Sequence, residues 1–333
     1  MRPHSFCPSP GLTRDRPYTP PVRRRSLHPL LALLILATIL AGCAAPQTAG
    51  AGRTDARILL GEPTTLDPAA TGDAGSSAFI GQLYETLTAF DDDRRLQPAL
   101  AESWQVEADG RRVVFRLRPD LAFSDGSPLR ASDVVRSWFR LIDPAAPSPL
   151  VTLMFDVVGA RDLVAGSGRV EDVGLRADDG AREVIVDFVR PAADFATIAA
   201  SPSFGVVPAG FGESGPVVPG EDFVSSGGYR LTTVGPGSLT LAANPRYWAG
   251  PPALATITVV TDLGGRSAVE AFEDGEVDYA PIGSFDASWI AYDAGLGPQL
   301  RKVESLSTDY YGFDACSPPF DDVRVRRAFA AAV

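Results

Sequence analysis

The chain has 333 residues, of which 45% are hydrophobic, 21% charged and 9% aromatic, and it contains 32 glycines and 29 prolines. This length exceeds one typical domain, and the composition predicts an ordinary globular protein with a substantial core. The formal net charge is −11, or −16 once the +5 of residues 1–42 is set aside, so we expect no nucleic acid partner. The same acidity would also keep the protein soluble without any further role.

The N-terminus predicts an export signal. Arg23-Arg24-Arg25 precedes an apolar run from Leu30 to Leu40, which is short for a permanent membrane span. Leu40-Ala41-Gly42-Cys43 resembles the lipobox of bacterial lipoproteins, in which the cysteine thiol is diacylated and the chain is cut just before it. We predict a lipoprotein signal peptide at residues 1–42, lipidation of Cys43 and a flexible tether at residues 43–56. The alternative is an ordinary cleaved signal with an incidental cysteine.

Histidine and cysteine usage limits the chemistry of the remaining chain. Both histidines, His4 and His28, lie within residues 1–42, which excludes Ser-His-Asp and Cys-His catalysis and imidazole metal ligation from the rest. Cys7 leaves with the signal and Cys43 is blocked by lipid, so Cys316 has no partner for a disulfide. We expect Cys316 to be a small, half-buried residue and not a nucleophile.

The folded part is predicted to begin with a strand and a helix. Arg57-Ile58-Leu59-Leu60 favours a short strand, and a Gly-rich loop follows from Ala69 to Ser76. A helix is predicted from Ser77 to Thr88, because apolar residues recur there at helical spacing. Its apolar face consists of Phe79, Ile80, Leu83, Tyr84 and Leu87.

The stretch from Leu96 to Pro144 predicts a strand, a polar turn and an amphipathic helix. Val113, Phe115 and Leu117 alternate with other residues, the pattern of a half-buried strand, and residues 124–128 favour a turn. The helix is expected to start with Ser132 or Asp133 bonding its free N–H groups and to stop at Asp143-Pro144. Its apolar positions are Val134, Val135, Trp138, Phe139 and Ile142. Trp104 and Trp138 are predicted core residues.

Short strands and helices continue beyond this stretch. Strands are predicted at residues 183–189, 238–242 and 254–261, and helices at residues 267–274 and 286–294, each helix being followed by glycine.

Several motifs along the chain together resemble one known family. They are Pro98-Ala99-Leu100-Ala101-Glu102-Ser103-Trp104, Phe115-Arg116-Leu117-Arg118, Phe123-Ser124-Asp125-Gly126-Ser127-Pro128 and Ser132-Asp133-Val134-Val135. In this order they look like the signature of bacterial extracytoplasmic solute-binding proteins of family 5, the peptide/nickel-binding class, which deliver ligands to ABC importers. Residues 140–149 resemble the oligopeptide-binding branch in particular, and Glu62-Pro63-Thr64-Thr65-Leu66-Asp67-Pro68 is similar to the opening turn of the family.

The resemblance implies an α/β, periplasmic-binding-protein-like type II bilobal fold. Lobe I would comprise residues 57–89 and 208–308, and an extra subdomain would comprise residues 90–207. Glu276-Val277-Asp278 resembles a strand start, residues 310–314 the strand that crosses to lobe II, and residues 321–329 the helix that opens lobe II. Residues 309–333 would hold that crossing strand and the start of lobe II. Family members continue much further, so we expect a chain truncated at its C-terminus.

The resemblance also implies capture without chemistry. A substrate-binding lipoprotein of an ABC importer would close two lobes on an extended extracellular peptide, hold its main chain by hydrogen bonds and accept different side chains in hydrated pockets. Its expected partners are the peptide, the ABC permease and ATPase complex, and the outer face of the cell membrane through the lipid anchor. We expect a monomer that needs no cofactor and no metal.

The resemblance points to several binding residues. In the oligopeptide-binding branch, the loop matching Gly72, Asp73 and Ala74 lies at the cleft and touches the ligand main chain; a plain surface turn is the alternative. Leu150 stands where that branch has a tyrosine that touches the peptide, and leucine has no hydroxyl to donate. Tyr310 would line the cleft from the crossing strand or lie in the core. The carboxylate that holds the peptide ammonium in that branch belongs to the missing part of lobe II.

Three alternatives remain open. An enzyme could use paired carboxylates, such as Asp91-Asp92-Asp93, Asp178-Asp179 and Asp321-Asp322, although adjacent acids usually form a solvated loop. A nickel or metal-chelate carrier of the same fold would have few soft ligands here, since Met154 is the one methionine outside the signal. The chain could also be a non-functional N-terminal fragment that exposes an apolar face.

Overall fold

The computed structural model describes residues 53–212, 223–303 and 310–332. The predicted signal peptide, the lipidation site Cys43 and the tether up to residue 52 therefore lie outside the described residues. Within the described part, no helix combines the length and the apolar character that a membrane crossing requires.

The described residues form ten strands in three sheets. The strands are β1 Asp55–Leu59, β2 Thr88–Phe90, β3 Leu96–Pro98, β4 Ala101–Glu107, β5 Arg112–Leu117, β6 Leu175–Asp178, β7 Glu183–Asp187, β8 Tyr229–Gly235, β9 Ser238–Ala243 and β10 Thr256–Val260. A mixed sheet has the order β1-β10-β9-β8, in which β1 runs parallel to β10. An antiparallel sheet has the order β4-β5-β7-β6, and β2 and β3 form a separate pair. The mixture of parallel and antiparallel pairing agrees with the predicted α/β class.

Seven helices accompany these strands in the described ranges. They are α1 Ala74–Leu83, α2 Ala131–Phe139, α3 Ala160–Val164, α4 Phe195–Ile198, α5 Ala268–Glu273, α6 Ser284–Ile290 and α7 Val323–Ala332. Single 3₁₀ turns lie at Pro68–Ala70, Ala108–Gly110, Arg140–Ile142, Val151–Met154, Val170–Asp172, Pro202–Phe204 and Gly297–Gln299.

The predicted strand, turn and helix around residues 113–142 are confirmed. Val113, Phe115 and Leu117 of β5 are at most 1% exposed. At the start of α2, the Asp133 carboxylate accepts the Arg130 N–H at 2.8 Å, while Ser132 donates its own N–H to Asp179. The predicted capping role therefore falls to Asp133.

Two separate cores lie beneath the two larger sheets. One, which we call the aromatic core, contains Phe115, Trp138, Phe188, Phe195 and Phe204, with the Trp138 and Phe204 ring centroids 5.3 Å apart. The other packs α1 against the mixed sheet. The prediction that Trp138 lies in the core is confirmed, whereas Trp104 is half-buried at its edge.

The helical pattern predicted for residues 77–88 spans both cores. Helix α1 begins at Ala74 because Asp73 accepts the Ser76 N–H, and it ends at Leu83. Leu87, expected on the same helical face, is fully buried in the core that contains Trp138. The chain passes from one core to the other just after α1. Apolar residues that share one helical periodicity in the sequence are therefore buried in two different cores.

Direct hydrogen bonds join these two parts of the molecule. Ser124 donates its N–H to the Ser225 carbonyl at 2.8 Å, and the Ser225 N–H donates to the Ser124 hydroxyl at 3.0 Å. Arg246 donates to the Ser124 carbonyl, and the Glu85 carboxylate accepts the Tyr247 hydroxyl. The turn at residues 124–128 is therefore a point of attachment between the two sheets.

Several predictions near the two ends of the described chain need correction. Strand β1 begins at Asp55, inside the predicted tether, because residues 55–59 pair with β10. The strand expected from Glu276 is reduced to one bridge between Tyr279 and Ile58; Pro281, which lacks an N–H, follows closely.

The crossing strand expected at residues 310–314 is not assigned as a strand, because no described residue forms a ladder with it. Tyr310 is 85% exposed, so it does not lie in a core formed by the described residues, which was one of the two placements expected for it. Cys316 is exposed and not half-buried, since it lies in a turn whose N–H bonds Asp314. Helix α6 ends at Ile290, earlier than predicted, because Asp293 accepts the N–H groups of the next turn.

Candidate ligand-binding wall

Two predicted binding segments that are far apart in sequence lie side by side. A Cβ built on Gly72 would lie 2.9 Å from the Pro149 Cβ. Gly72, Asp73, Ala74 and Pro149 are exposed, and Leu150 is half-buried. We call residues 72–74 together with residues 149–150 the wall.

The main chain at Gly72 is open for new hydrogen bonds. Neither its N–H nor its carbonyl has a partner among the described residues, and the same holds for the Asp73 N–H. Backbone groups in folded proteins are nearly always paired, with water if not with protein. This position therefore offers a donor and an acceptor to an extended molecule that replaces water.

Asp73 has a structural task that the sequence analysis did not assign. Its carboxylate accepts the Ser76 N–H and the Thr64 hydroxyl, each at 2.8 Å. These hydrogen bonds, with that from the Ser76 N–H the strongest, hold the pKa of Asp73 below its ordinary value. The carboxylate is thus ionised at neutral pH and engaged in starting α1. Since the Asp73 carbonyl accepts the Ser77 N–H and hydroxyl, the main-chain N–H is the part of Asp73 that is free to bind.

The loop that leads into the wall is fixed by a hydrogen bond within the loop and by burial. The Asp67 carboxylate accepts the Ala69 N–H at 2.9 Å, at the start of the turn Pro68–Ala70. Thr71 follows with no exposed surface. The backbone just before Gly72 is therefore fixed by the fold.

A bidentate ion pair connects this loop to the segment carrying Leu150. Arg140 donates to the two Asp67 oxygens at 2.8 and 2.6 Å, and its guanidinium lies 5.0 Å from the Phe211 ring centre. Planar guanidinium and carboxylate groups match in this geometry, which fixes orientation as well as distance. Sequence reasoning missed the pair: both residues belong to recognised motifs, but nothing in their spacing indicates that they meet.

Ser148 sets the conformation of the second segment. Its N–H donates to the Leu141 carbonyl and its hydroxyl accepts the Leu150 N–H, both at 3.1 Å. Ser148 is 3% exposed. Ser148 therefore holds Leu150, two residues later, through a hydrogen bond from a buried position.

A buried hydroxyl lies close to the same ion pair. Tyr84 is 1% exposed, and its hydroxyl has no hydrogen-bond partner among the described residues. Burial raises the pKa of Tyr84 far above its ordinary value, and the nearby Asp67 carboxylate acts in the same direction. The phenol stays neutral and makes no nucleophile.

The structure does not join Tyr310 to the wall. It is 85% exposed, and no hydrogen bond or ring contact links it to another described residue. Residues 304–309, which precede it, lie outside the described ranges.

Members of the carboxylate pairs considered for acid/base chemistry are engaged in structural hydrogen bonds and ion pairs, and Asp179 accepts the Ser132 N–H and hydroxyl. Asp91 accepts N–H groups within its own turn, Asp178 does the same, and Asp322 pairs with Arg324. Across residues 53–212, 223–303 and 310–332, no group of three or more His, Cys, Asp or Glu side chains could hold a metal ion.

Comparison with known proteins gives a consistent result. Residues 95–333 match the model of bacterial extracellular solute-binding proteins, family 5 Middle. The Escherichia coli protein named as a probable deoxycholate-binding periplasmic protein, YgiS, is 32% identical over 275 residues, which are 80% of this chain and 50% of that protein. The periplasmic oligopeptide-binding protein OppA of the same organism is 31% identical over 321 residues, 90% of this chain and 57% of that protein.

A solved structure supports the fold. The Escherichia coli murein tripeptide binding protein MppA superimposes with a TM-score of 0.76 at 26% identity, covering 84% of this chain and 56% of that one. The predicted type II periplasmic-binding-protein-like fold is thus confirmed for the shared part, with lobes only partly represented. The chain spans about half the length of these relatives.

Proposed function

Because the chain belongs to the bacterial extracellular solute-binding proteins of family 5, we propose that it captures extracellular peptides and delivers them to an ABC importer. Relatives are named as oligopeptide-binding, dipeptide-binding and murein peptide-binding proteins. This chain covers 57% of the oligopeptide-binding relative, so the activity of a whole receptor is part of the proposal.

The open main chain of Gly72 beside Leu150 is the observation that carries the peptide proposal. An extended peptide presents the complementary N–H and carbonyl groups, so it can replace the water at Gly72 whatever its side chains are. Leu150 adds an apolar contact without demanding a particular partner group. Recognition of the peptide main chain, next to a side chain that requires no hydrogen-bond partner, suits a receptor for peptides of varied sequence.

The mechanism involves binding alone. Two lobes close on the peptide by hinge motion, and the closed form is presented to the membrane permease and its ATPase. In this mechanism Gly72, Asp73 and Ala74 supply main-chain contacts, and Leu150 an apolar contact, from lobe I. Tyr310 would contribute from the crossing segment.

The N-terminal sequence supports anchoring at the outer face of the cell membrane. Cys43 follows the basic, apolar and small-residue segments of a lipoprotein signal. In our proposal its diacylated thiol holds a monomeric receptor close to the permease. Replacing Cys43 with serine should shift the protein from the membrane to the soluble fraction, and retention on the membrane would contradict the anchor.

The peptide proposal is tested by identifying what the protein carries. The product of the complete gene is purified and its bound ligands are released and analysed by mass spectrometry. We expect a mixture of short peptides. Recovery of sugars or metal chelates without peptides would overturn the proposal.

An amphipathic anion with a large apolar surface, such as a bile acid, is a second candidate ligand. It is favoured by the apolar Leu150 on the wall and by the 32% identity to the relative named for deoxycholate binding. Isothermal titration with deoxycholate and with tri-alanine separates the two. Binding of deoxycholate and not of tri-alanine would select the second candidate.

A further inference from the structure

We propose that Gly72 is a positioning residue that locks the two segments of the wall at a fixed separation, so that one ligand meets the Gly72 main chain and the Leu150 side chain together. The ligand part of this inference rests on the proposed function. The coupling of the two segments does not.

Glycine is required at position 72 for close approach and not for backbone freedom. Gly72 does not adopt a left-handed φ, so its backbone would accept other residues. An added Cβ, however, would lie 2.9 Å from the Pro149 Cβ and 3.5 Å from its Cγ. Because the proline ring has no alternative rotamer that withdraws its Cβ, the backbone of one segment has to move.

A closed ring of contacts restricts where that movement can occur. On one side, Asp67 bonds Arg140 and the Ala69 N–H, and buried Thr71 follows. On the other side, the Leu141 carbonyl, adjacent to Arg140, accepts the Ser148 N–H, and the Ser148 hydroxyl accepts the Leu150 N–H. The contact of Gly72 with Pro149 closes the ring without any hydrogen bond. It is the point at which the ring opens when a methyl group is added.

Opening the ring at this point changes the surface offered to a ligand. The Gly72 N–H and carbonyl would shift relative to Leu150, and hydrogen bonds weaken steeply when their distance or angle is wrong. Losing the equivalent of one good hydrogen bond reduces affinity about tenfold. The rest of the fold has no contact with the added methyl group.

The test uses Gly72→Ala in the protein expressed from its complete gene, with Gly81→Ala as the matched control. Gly81 is exposed on α1, the helix that follows Gly72, and nothing lies within 4 Å of the Cβ that alanine would add. With tri-alanine as the titration probe, we expect about tenfold weaker binding for Gly72→Ala and no more than about a twofold change for Gly81→Ala. Pro149→Gly removes the opposing Cβ, so adding it to Gly72→Ala should restore most of the affinity.

Hydrogen exchange of the ligand-free variants separates this inference from the proposed function. We expect Gly72→Ala to speed hydrogen exchange in both wall segments. Pro149→Gly should change the exchange rates less in the Gly72→Ala variant than in the wild-type protein. If the wild-type protein binds no peptide, the proposed function fails, while exchange still decides the coupling. Unchanged exchange at the second segment, or strictly additive effects of the two substitutions, would overturn the inference.

Discussion

The aromatic core and the C-terminal region, residues 268–332, differ in how far they bury their aromatic residues. Phe115, Trp138 and Phe195 are at most 1% exposed, whereas Phe285 is 81% and Tyr292 is 92% exposed. Both regions place apolar residues at helical or strand spacing. The difference is that the antiparallel sheet and α2 cover each other in two layers, while α6 buries Ile290 among the described residues and leaves Phe285 and Trp289 exposed.

The two regions differ in their ion pairs as well. Asp187, in the antiparallel sheet, is bonded by Arg112 and Arg176, each at 2.6 Å, and its side chain is 20% exposed. Asp322, in the C-terminal region, pairs with an Arg324 side chain that is 87% exposed. Solvent screens the second pair far more than the first.

The largest contrast is expected for the two tryptophans Trp138 and Trp289. Trp138→Ala should reduce the free energy of unfolding by about 3–5 kcal/mol, because it leaves a large cavity and removes the hydrogen bond that the indole donates to the Phe204 carbonyl at 3.1 Å. Trp289→Ala should cost less than about 1 kcal/mol, since this side chain is 43% exposed. Urea unfolding followed by far-ultraviolet circular dichroism measures both.

Trp138→Phe serves as the control for this comparison. It keeps an aromatic ring in the core and removes the indole N–H, so its effect should be smaller than that of alanine. Equal losses for Trp138→Ala and Trp289→Ala would mean that the two regions are covered to the same extent in solution.

An intermediate effect is expected for the pH dependence of the Asp187 ion pairs. Burial acts to raise the pKa of Asp187, but hydrogen bonds from Arg112 and Arg176 outweigh it and hold the pKa below its ordinary value. A carboxyl with a lowered folded pKa stabilises the protein above its unfolded pKa of about 4, and this contribution is lost as pH falls through the folded pKa. Asp187→Asn should therefore cost about 1 kcal/mol near pH 7 and progressively less below about pH 4.

Asp322→Asn is the corresponding variant in the C-terminal region. Its pKa is also lowered, chiefly by the hydrogen bond from Arg324, but the pair is open to solvent. We expect its urea midpoint to follow that of the wild type at every pH. A cost for Asp187→Asn that persists unchanged at low pH would show that packing, and not charge, is what Asp187 contributes.

What could be predicted from the sequence follows the range of the interactions involved. The strand, turn and helix around Val113, Gly126 and Trp138 were predictable because alternation, turn chemistry and helical spacing act within a few residues. The family resemblance was likewise carried by such local motifs. Even here the limit is visible: Leu87 continues the periodicity of α1 but is buried in the other core.

The candidate wall was predicted in part. Its residues were named from the resemblance, but the contact of Gly72 with Pro149 and the pairing of Asp67 with Arg140 join positions that only the fold brings together. Periodicity carries no information about such partners. For the same reason the pattern around Tyr310 indicated a strand without indicating what would pair with it.

The smallest effect on stability is expected for Phe285→Ser, which tests whether the exposed aromatic residues of the C-terminal region contribute to packing. Because 81% of Phe285 is exposed, its truncation removes few contacts, and the free energy of unfolding should change by less than about 0.5 kcal/mol. The carbonyl of Phe285, which accepts the Ser288 hydroxyl, is unaffected by the substitution. A loss above about 1 kcal/mol in urea unfolding would mean that an apolar surface covers Phe285 in the purified protein. The C-terminal region would then be covered by another molecule, whereas the aromatic core is covered by its own chain, and both regions would be well packed.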